Sequence, residues 1–287
     1  MLKYDTLFGP IDKVQIAIDR IRQFEPPEGY YVAFSGGKDS QTVYHLCKEA
    51  GVKFDAHYHL TTVDPPELVR FIKQNYPKVV VDRPPTTMWK LIVDRKIPPT
   101  RIARYCCQVL KEGGGEGRFV ITGVRWAESV KRKNNRGVVE IFGNKTKDKK
   151  IFLNSDNDEV RRVIETCVTR GKRILNPIVD WTDSDVWEYL NGRKIDHCQL
   201  YDQGFKRLGC IGCQMAPFSH RQDEFKRWPK YYQNYLLTFE RMLKERERRG
   251  LPNARWKTAQ DVMDWWIYEM PREDPDQNSL FTDYEAS

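Results

Sequence analysis

The sequence has no apolar run that approaches the roughly 18 residues of a membrane span, no internal repeat and no low-complexity tract. Residues 1–5 also lack the basic and then apolar layout of a secretory signal. The 7 cysteines are an odd number in a chain of 287 residues. Because a chain of this size does not depend on disulfides, they favour a reducing, cytoplasmic location. These absences argue against the secreted, fibrous and membrane classes, and no membrane partner is expected.

What the sequence does have is the composition of a globular protein with a basic surplus. Hydrophobic residues make up 40% and charged residues 31%, which argues against disorder. Lys and Arg number 48 against 40 Asp and Glu, which gives a net charge of +8 and a pI near 9.0. This surplus suits nucleic acid or the phosphates of a nucleotide, and it equally suits a solvated surface without a partner.

Predicted strands and helices alternate through the first half of the chain. Short runs of apolar and β-favouring residues predict strands at residues 30–34, 54–60, 79–81 and 119–122. Helical spacing of apolar residues predicts helices between several of them. Because strands that alternate with helices form right-handed crossovers, we predict an α/β fold with a doubly wound, mostly parallel sheet.

The later part of the chain carries mostly helical signals. Thr182 and Asp185 form a capping box, which predicts that a helix begins there. After Cys213 the chain has the pattern of charged helices over residues 223–249, followed by a short helix around residues 262–267. We therefore expect a helical, charged C-terminal extension.

The most informative segment joins the first predicted strand to the helix that follows it. It reads Ser35-Gly36-Gly37-Lys38-Asp39-Ser40. Its two glycines let the backbone bring N–H groups close to a polyanion, and the following helix points its positive end to the same place. The serines can donate hydrogen bonds, Lys38 adds charge, and Asp39 can orient a magnesium ion or cap the helix. The segment lies at the carboxyl end of a strand, where open α/β sheets bind ligands.

This loop differs from a Walker motif, because its second glycine immediately precedes the lysine. The plainer interpretation is a Gly-Gly turn between a strand and a helix. The flanking serines and the strand–loop–helix context favour a phosphate site instead.

The loop resembles the pyrophosphate loop, or PP loop, of the adenine nucleotide alpha-hydrolase superfamily. The rest of the chain is similar to the phosphoadenosine phosphosulfate (PAPS) reductase branch, because three further segments match its motifs in the right order. The first segment, Thr122-Gly123-Val124-Arg125-Trp126-Ala127-Glu128-Ser129, resembles the family motif Gly-x-Arg-x-x-Glu-Ser. The second, residues 176–187, resembles Pro-x-x-x-Trp-Thr-x-x-Asp-Val-Trp. The third, residues 200–213, resembles a tyrosine-and-glycine loop that precedes a cysteine pair.

The resemblance implies a Rossmann-like PP-loop fold over roughly residues 25–215. We accordingly predict a nucleotide-binding domain that includes the cysteines over residues 1–215. The helical extension would then occupy residues 216–287.

The resemblance also implies an adenine nucleotide over the carboxyl ends of the strands: ATP, or a sulfonucleotide such as PAPS or adenylyl sulfate (APS). Its phosphates would lie on residues 35–40 with Mg²⁺ assisting. Gly123 and Arg125 would join the site, with Arg125 reaching the same anion and Arg132 assisting. Glu128 would pair with Arg125 or help to hold a metal ion. The residues that we expect to act in catalysis are Lys38, Asp39 and Arg125.

Simpler interpretations also exist for these charged residues. Arg125 and Glu128 can form a surface ion pair at i, i+3 spacing, which stabilises a helix only weakly. The basic residues 131–136 can form a solvated loop.

Four cysteines form a second group of candidate ligands, Cys106, Cys107, Cys210 and Cys213. An adjacent pair fits a tetrahedral zinc site awkwardly, whereas a [4Fe–4S] cluster offers one iron to each thiolate. The pattern also resembles the cluster-binding pattern of the APS-type reductases of the family. The basic residues that would offset the negative charge of such a cluster are Arg101, Arg104 and Lys111.

Three alternatives remain open for these cysteines: a zinc ion held by all four, a redox-active Cys-x-x-Cys without metal, and unconnected buried thiols. The other cysteines, Cys47, Cys167 and Cys198, are expected only to pack.

The chain departs from the thioredoxin-dependent reductases of the family in one respect. Those enzymes carry a nucleophilic cysteine near the C-terminus in a Glu-Cys-Gly-type motif, whereas this sequence has no cysteine after Cys213. Its PP loop is also closer to those of superfamily members that split ATP between the α- and β-phosphates.

Two mechanisms therefore compete. In the first, ATP adenylates a substrate with release of pyrophosphate, and sulfur then displaces the adenylate. Family members of this kind thiolate nucleic acids, which implies a nucleic-acid substrate and a sulfur donor such as a cysteine desulfurase. In the second, PAPS or APS is reduced to sulfite, with the nucleophile supplied by a thioredoxin-like partner or by an internal cysteine such as Cys198.

A third hypothesis, from a different class, is a nucleotide- or nucleic-acid-binding module without catalysis. Residues 226–249 mix aromatic and basic side chains, as nucleic-acid surfaces do. A charged solvent face explains the same pattern, because Glu and Arg alternate closely there.

Overall fold

The computed structural model describes residues 1–7, 9–142, 149–153, 172–253 and 255–268. Its internal contacts divide the chain into two compact units, each of which is discontinuous in sequence. Unit 1 consists of Met1–His59, Pro66–Asp82 and Gly114–Leu208, and unit 2 consists of Leu60–Pro65, Arg83–Gly113 and Gly209–Ser287. The domain boundary that the sequence suggested at residue 215 remains a prediction.

Unit 1 contains every described strand. The strands are β1 (Lys3–Thr6), β2 (Gly9–Asp12), β3 (Tyr30–Ala33), β4 (Phe54–His59), β5 (Val80–Asp82), β6 (Phe119–Ile121), β7 (Val139–Phe142), β8 (Lys149–Leu153) and β9 (Lys172–Leu175). Strands β1 and β2 pair as an antiparallel hairpin, and the other seven form one sheet in the order β5-β4-β3-β6-β9-β7-β8. The first five of that order are parallel, whereas β7 runs antiparallel to β8 and β9. The predicted mostly parallel α/β fold is confirmed.

Helices accompany the strands in unit 1 and make up the regular structure of unit 2. In chain order they are α1 (Lys13–Gln23), α2 (Lys38–Ala50), α3 (Pro66–Asn75), α4 (Met88–Arg95), α5 (Tyr105–Leu110), α6 (Val130–Asn135), α7 (Asp183–Gly192), α8 (Phe218–Arg227), α9 (Pro229–Arg248) and α10 (Ala259–Ile267). Helices α4, α5, α8, α9 and α10 belong to unit 2. None of the helices in the described ranges is long and apolar enough to cross a membrane.

The local signals in the sequence account for where several helices begin and end. The Thr182 hydroxyl accepts the Asp185 N–H at 3.2 Å, and the Asp185 carboxylate accepts the Thr182 N–H at 2.8 Å, so the predicted capping box begins α7. Gly51 ends α2 with a φ of 73°, which a glycine adopts without strain. The charged stretch after Cys213 forms two helices, α8 and α9, because Pro229 begins α9. Proline is tolerated there because the first residue of a helix does not use its N–H in a hydrogen bond within the helix.

The strand order reverses beside β3. From β3 the chain adds β4 and β5 on one side and later adds β6 on the other, so the order reverses between β3 and β6. Ligands of open α/β sheets bind at the carboxyl ends of the strands at such a reversal. The PP loop follows β3 directly, and the segment with Arg125 follows β6.

Unit 2 is organised around buried aromatic side chains. The rings of Tyr235 and Trp266 lie 4.7 Å apart between their centroids. The Tyr235 hydroxyl donates to the Ile211 carbonyl at 3.0 Å, and the Trp266 indole donates to the Pro99 carbonyl at 2.7 Å. These bonds fix the two backbone segments that flank the cysteines, because a buried polar group must be hydrogen-bonded.

Candidate functional site

Hydrogen bonds within the PP loop hold it in a tight turn. The Ser40 hydroxyl accepts the Ser35 N–H at 3.1 Å and donates to the Gly37 carbonyl at 2.9 Å. The Ser35 hydroxyl lies 3.1 Å from that of Ser40. Ser40 is buried, so its side chain braces the loop, while the first N–H groups of α2 have no partners within the helix.

Two glycines are required where this loop is most crowded. Gly36 has a φ of +71°, and a Cβ there would lie 2.6 Å from the Ile72 side chain. Gly123 lies after β6, and a Cβ on it would be 2.8 Å from the backbone carbonyl of Asp39. The chain after β6 therefore contacts the first turn of α2, which only a residue without a side chain allows.

Replacing Gly123 with alanine is therefore expected to push the two segments apart. Overpacking of this kind costs about 1–3 kcal/mol, so the melting temperature should fall and nucleotide affinity should fall with it. Gly192→Ala is the matched control, because Gly192 ends α7 and a Cβ there meets nothing within 4 Å. Thermal melts and nucleotide titrations of both variants check this, and equal behaviour would contradict the close approach.

Four charged side chains meet beside the loop. The Arg125 guanidinium donates to Asp39 at 2.7 Å through Nε and to Asp183 at 2.7 Å through Nη2. The Lys38 ammonium lies 3.3 Å from Asp183 and 3.5 Å from Asp39. Two cations are thus paired with two carboxylates, and their formal charges cancel.

These four residues differ in their access to solvent. The Arg125 and Lys38 side chains are 2% and 5% exposed, whereas Asp183 is 64% exposed. Partial burial alone would raise the pKa of Asp183, but the charges and hydrogen bonds of Lys38 and Arg125 bring it below its ordinary value. Arg125 lies beside the loop, as the sequence suggests, yet it contacts the loop through Asp39. Its direct contact with an anion remains a prediction.

Glu128 contacts both Arg125 and Arg132. Its carboxylate accepts the main-chain N–H of Arg125 at 3.1 Å, and its ion partner is Arg132. Burial and the charge of Arg207 lower the pKa of Arg132 to about 10. The expected side-chain pair between Arg125 and Glu128 is therefore replaced by a main-chain bond, and Arg132 takes up the charge of Glu128.

Sequence reasoning missed two residues of the site, Asp183 and Tyr201. Asp183 follows the Thr182 cap of α7, and the family motif leaves its position unspecified. The Tyr201 hydroxyl accepts the Lys38 N–H at 2.9 Å. Its segment was recognised by resemblance, but no local signal indicated that its side chain reaches α2.

The four predicted cysteine ligands line one cavity in unit 2. Cys106 and Cys107 lie in the first turn of α5, and Cys210 and Cys213 lie in the loop before α8. The space between the lining atoms is about 510 Å³, including its opening to solvent. Within the described residues, no three or more Cys, His, Asp or Glu side chains are already drawn together as a metal-ligand set.

Positive charge surrounds these thiols. The hydrogen bond with Cys106 and the Arg104 guanidinium, 3.5 Å from the Cys107 sulfur, lower the pKa of Cys107 below its ordinary value. The charge of Cys210 in turn raises the pKa of Lys111. Four thiols that line one cavity, with cations beside them, are a donor set that suits an iron–sulfur cluster.

The remaining described cysteines lie in apolar surroundings. Cys47 and Cys198 are 0% exposed, and burial raises the pKa of both thiols. They are therefore poor nucleophiles. Cys167 lies outside the described residues.

The structure thus has a tight glycine-containing loop at the reversal point of a mostly parallel sheet, with a helix that begins at the loop. This is the arrangement at which α/β proteins commonly bind phosphates. The family described as phosphoadenosine phosphosulfate reductase domain matches residues 29–216, and the chain belongs to that family. The family and the fold that the sequence motifs implied are thus confirmed.

Named relatives include adenosine 5'-phosphosulfate reductase of Staphylococcus haemolyticus, which is 22% identical over 200 residues, or 66% of this chain and 70% of that protein. A probable FAD synthase of Caenorhabditis elegans is 24% identical over 212 residues, or 69% of this chain and 33% of that protein. Among solved structures, the match with phosphoadenylyl-sulfate reductase from Candida auris, in a phosphate complex, covers 69% of this chain and 89% of that chain. The sequence identity is 14% and the TM-score is 0.47. The chain is an enzyme of the PP-loop superfamily, which argues against a module without catalysis.

Proposed function

We propose that this enzyme binds ATP with Mg²⁺ at the PP loop and cleaves it to AMP and pyrophosphate, adenylating a substrate for sulfur transfer. The observation that carries the proposal is the pairing of Lys38 and Arg125 with Asp39 and Asp183. Because these charges cancel, the four residues offer little net attraction to a bare anion. Mg²⁺ is typically held by one or two carboxylates together with substrate phosphates, and this is the arrangement that Asp39 and Asp183 can supply.

The chemistry follows from this placement. A substrate oxygen attacks the α-phosphorus, the bond to the α–β bridging oxygen breaks, and pyrophosphate leaves with the electron pair. The N–H groups at the start of α2 and the Lys38 ammonium stabilise the charge that develops on the leaving group. A hydrosulfide-level sulfur from the sulfur donor then attacks the substrate atom that bears the adenylated oxygen. The new bond to sulfur forms as the bond to that oxygen breaks, and AMP leaves with the oxygen and the electron pair. The relation to a probable FAD synthase is in keeping with ATP as the nucleotide, since FAD contains an adenylyl group.

The second candidate is reduction of PAPS or APS to sulfite, which the names of the reductase relatives favour. That reaction needs a thiolate that attacks sulfur. The suggested internal nucleophile, Cys198, is fully buried with a raised pKa, so it is a poor source of that thiolate, and a thioredoxin-like partner is the other suggested source. This requirement makes the ATP reaction the better supported of the two.

We also propose that Cys106, Cys107, Cys210 and Cys213 hold a [4Fe–4S] cluster. Their common cavity and the nearby Arg104 and Lys111 support it. Such a cluster, when bound, would hold or relay sulfur or maintain the shape of unit 2.

A nucleic acid is the proposed acceptor of sulfur. Its support is the net charge of +8 together with the basic segment 131–136, which forms most of α6 and the residue after it and is mostly exposed. We expect salt-sensitive retention of RNA or DNA that is lost when these residues are neutralised. Retention that does not change would remove nucleic acid as the substrate.

The decisive experiment supplies ATP, APS and PAPS to the purified enzyme and measures pyrophosphate and sulfite. Pyrophosphate from ATP supports the proposal, whereas sulfite from a sulfonucleotide with ATP inert supports the reductase. A ligand-shift melt with the same three compounds identifies the nucleotide that stabilises the folded state most.

Asp183→Asn tests the role of the carboxylates. Losing one of them should raise the Mg²⁺ concentration for half-maximal pyrophosphate release by about tenfold, as loss of a metal-site partner commonly does. Asp19→Asn is the control, because Asp19 is an exposed residue of α1 that bonds only to Gln15 among the described contacts. An unchanged Mg²⁺ dependence in the Asp183 variant would contradict the proposed site.

A further inference from the structure

The Tyr201 side chain is fixed against the start of α2. Its hydroxyl oxygen accepts the Lys38 N–H at 2.9 Å and lies 3.4 Å from where a Cβ on Gly37 would be. The Trp187 ring packs edge-on against the Tyr201 ring, with centroids 5.1 Å apart. The hydroxyl therefore lies at the PP loop, and the ring has little freedom to leave it.

The hydrogen-bonding capacity of this hydroxyl is only partly used. A phenol has one O–H donor as well as acceptor lone pairs. Because Lys38 supplies the donor in the bond between them, the Tyr201 proton is left for a second partner. Burial raises the pKa of Tyr201, so the hydroxyl keeps that proton at neutral pH.

We propose that Tyr201 is a phosphate-binding residue, whose hydroxyl donates to an oxygen of the phosphate chain while the Lys38 N–H holds its oxygen. The inference rests on the proposed function in one respect, the placement of phosphates on residues 35–40. It adds a donor from outside the PP loop, 163 residues away from Lys38 in sequence. The donor belongs to the segment after α7, so phosphate binding ties that segment to α2.

A purely structural role makes the opposite prediction. If the hydroxyl only caps the Lys38 N–H, removing it frees that N–H for the phosphate, since N–H groups at a helix start bind anions. Binding would then stay the same or become tighter. Loss of a donated hydrogen bond to a charged group weakens binding instead.

The test is titration calorimetry with inorganic pyrophosphate and Mg²⁺, using the full chain and the Tyr201→Phe variant. We expect the Kd for pyrophosphate to rise at least about tenfold in the Tyr201→Phe variant, because this is the effect of losing one hydrogen bond to a charged acceptor. Tyr189→Phe is the matched control, because its buried hydroxyl bonds to Glu49 at 2.7 Å and not to the loop. That variant should bind pyrophosphate like the unmodified chain.

Each result either supports the inference or overturns it. A Kd that is unchanged or lower in Tyr201→Phe overturns it, and so does absence of pyrophosphate binding by the unmodified chain. ATP cleavage is measured separately on the same preparations. Pyrophosphate binding that depends on Tyr201, in an enzyme that leaves ATP intact, would support the inference while rejecting the proposed reaction.

A second measurement keeps the hydroxyl and so covers a variant that folds poorly. With 3-fluorotyrosine at position 201, the ¹⁹F resonance should shift on addition of pyrophosphate and Mg²⁺. A resonance that stays in place at saturating pyrophosphate overturns the inference.

Discussion

Replacing Lys38 with methionine is expected to reduce pyrophosphate release from ATP by about 10²–10³-fold in kcat, the usual cost of losing a group that stabilises transition-state charge. The side chain is 5% exposed and lies within 3.5 Å of both carboxylates of the site. Without it, Asp39 and Asp183 face a polyanionic substrate with Arg125 as their remaining partner in the cluster. The measurement is steady-state pyrophosphate release at saturating ATP and Mg²⁺.

Lys48→Met is the matched control, because Lys48 is an exposed lysine near the other end of α2 and should leave the rate unchanged. The double variant Lys38→Met with Asp183→Asn separates two roles of Lys38. If the lysine only balances Asp183, the double variant recovers the rate. If the lysine contacts the leaving group, the loss persists. Full activity in the single variant would show that the reaction does not use this loop.

The α/β core was predictable because its signals are local and repeated. The strands β3 and β4 follow from short runs of apolar and β-favouring residues, and the helix α2 between them follows from the helical spacing of apolar residues. Short or exposed elements carried no such signal. Helix α5 has six residues, too few for a helical period to be recognised, and no strand residue of the β1–β2 hairpin is buried.

The candidate site was predictable only where one segment carries the chemistry. The PP loop holds its own glycines, serines and lysine, so its role could be inferred from their spacing. Asp183 lies 58 residues from Arg125, and its contact with the site depends on where α7 packs, which no local pattern encodes. For the same reason, no local pattern predicts that Arg125 pairs with Asp39 and Asp183, while its contact with a nucleotide anion stays a prediction. Such long-range partners need the fold.

The cysteines give the second large expected effect. We expect the protein purified without oxygen to be brown and to contain about four irons per chain, as one cubic cluster requires. Replacing Cys213 with serine should abolish the colour and most of the iron, because an alcohol does not ionise near neutral pH and cannot replace the thiolate ligand. Cys106→Ser should have the same effect, since both thiols line the one cavity. The measurements are iron and sulfide analysis with the visible spectrum.

Cys198→Ser is the matched control for these variants, because Cys198 is buried in unit 1 and does not line the cavity, so the variant should leave the iron content unchanged. Zinc is the sharpest rival outcome. Colourless protein with one zinc per chain, lost in the Cys213 variant, would assign the four thiols to a tetrahedral site and reject the cluster. Metal-free protein in which only Cys210 and Cys213 react as a pair would instead identify a redox Cys-x-x-Cys. The cluster assignment therefore depends on all four thiols acting as one ligand set. If they do, the loss of any one of them should release iron, because the three remaining thiols cannot hold the cluster by themselves.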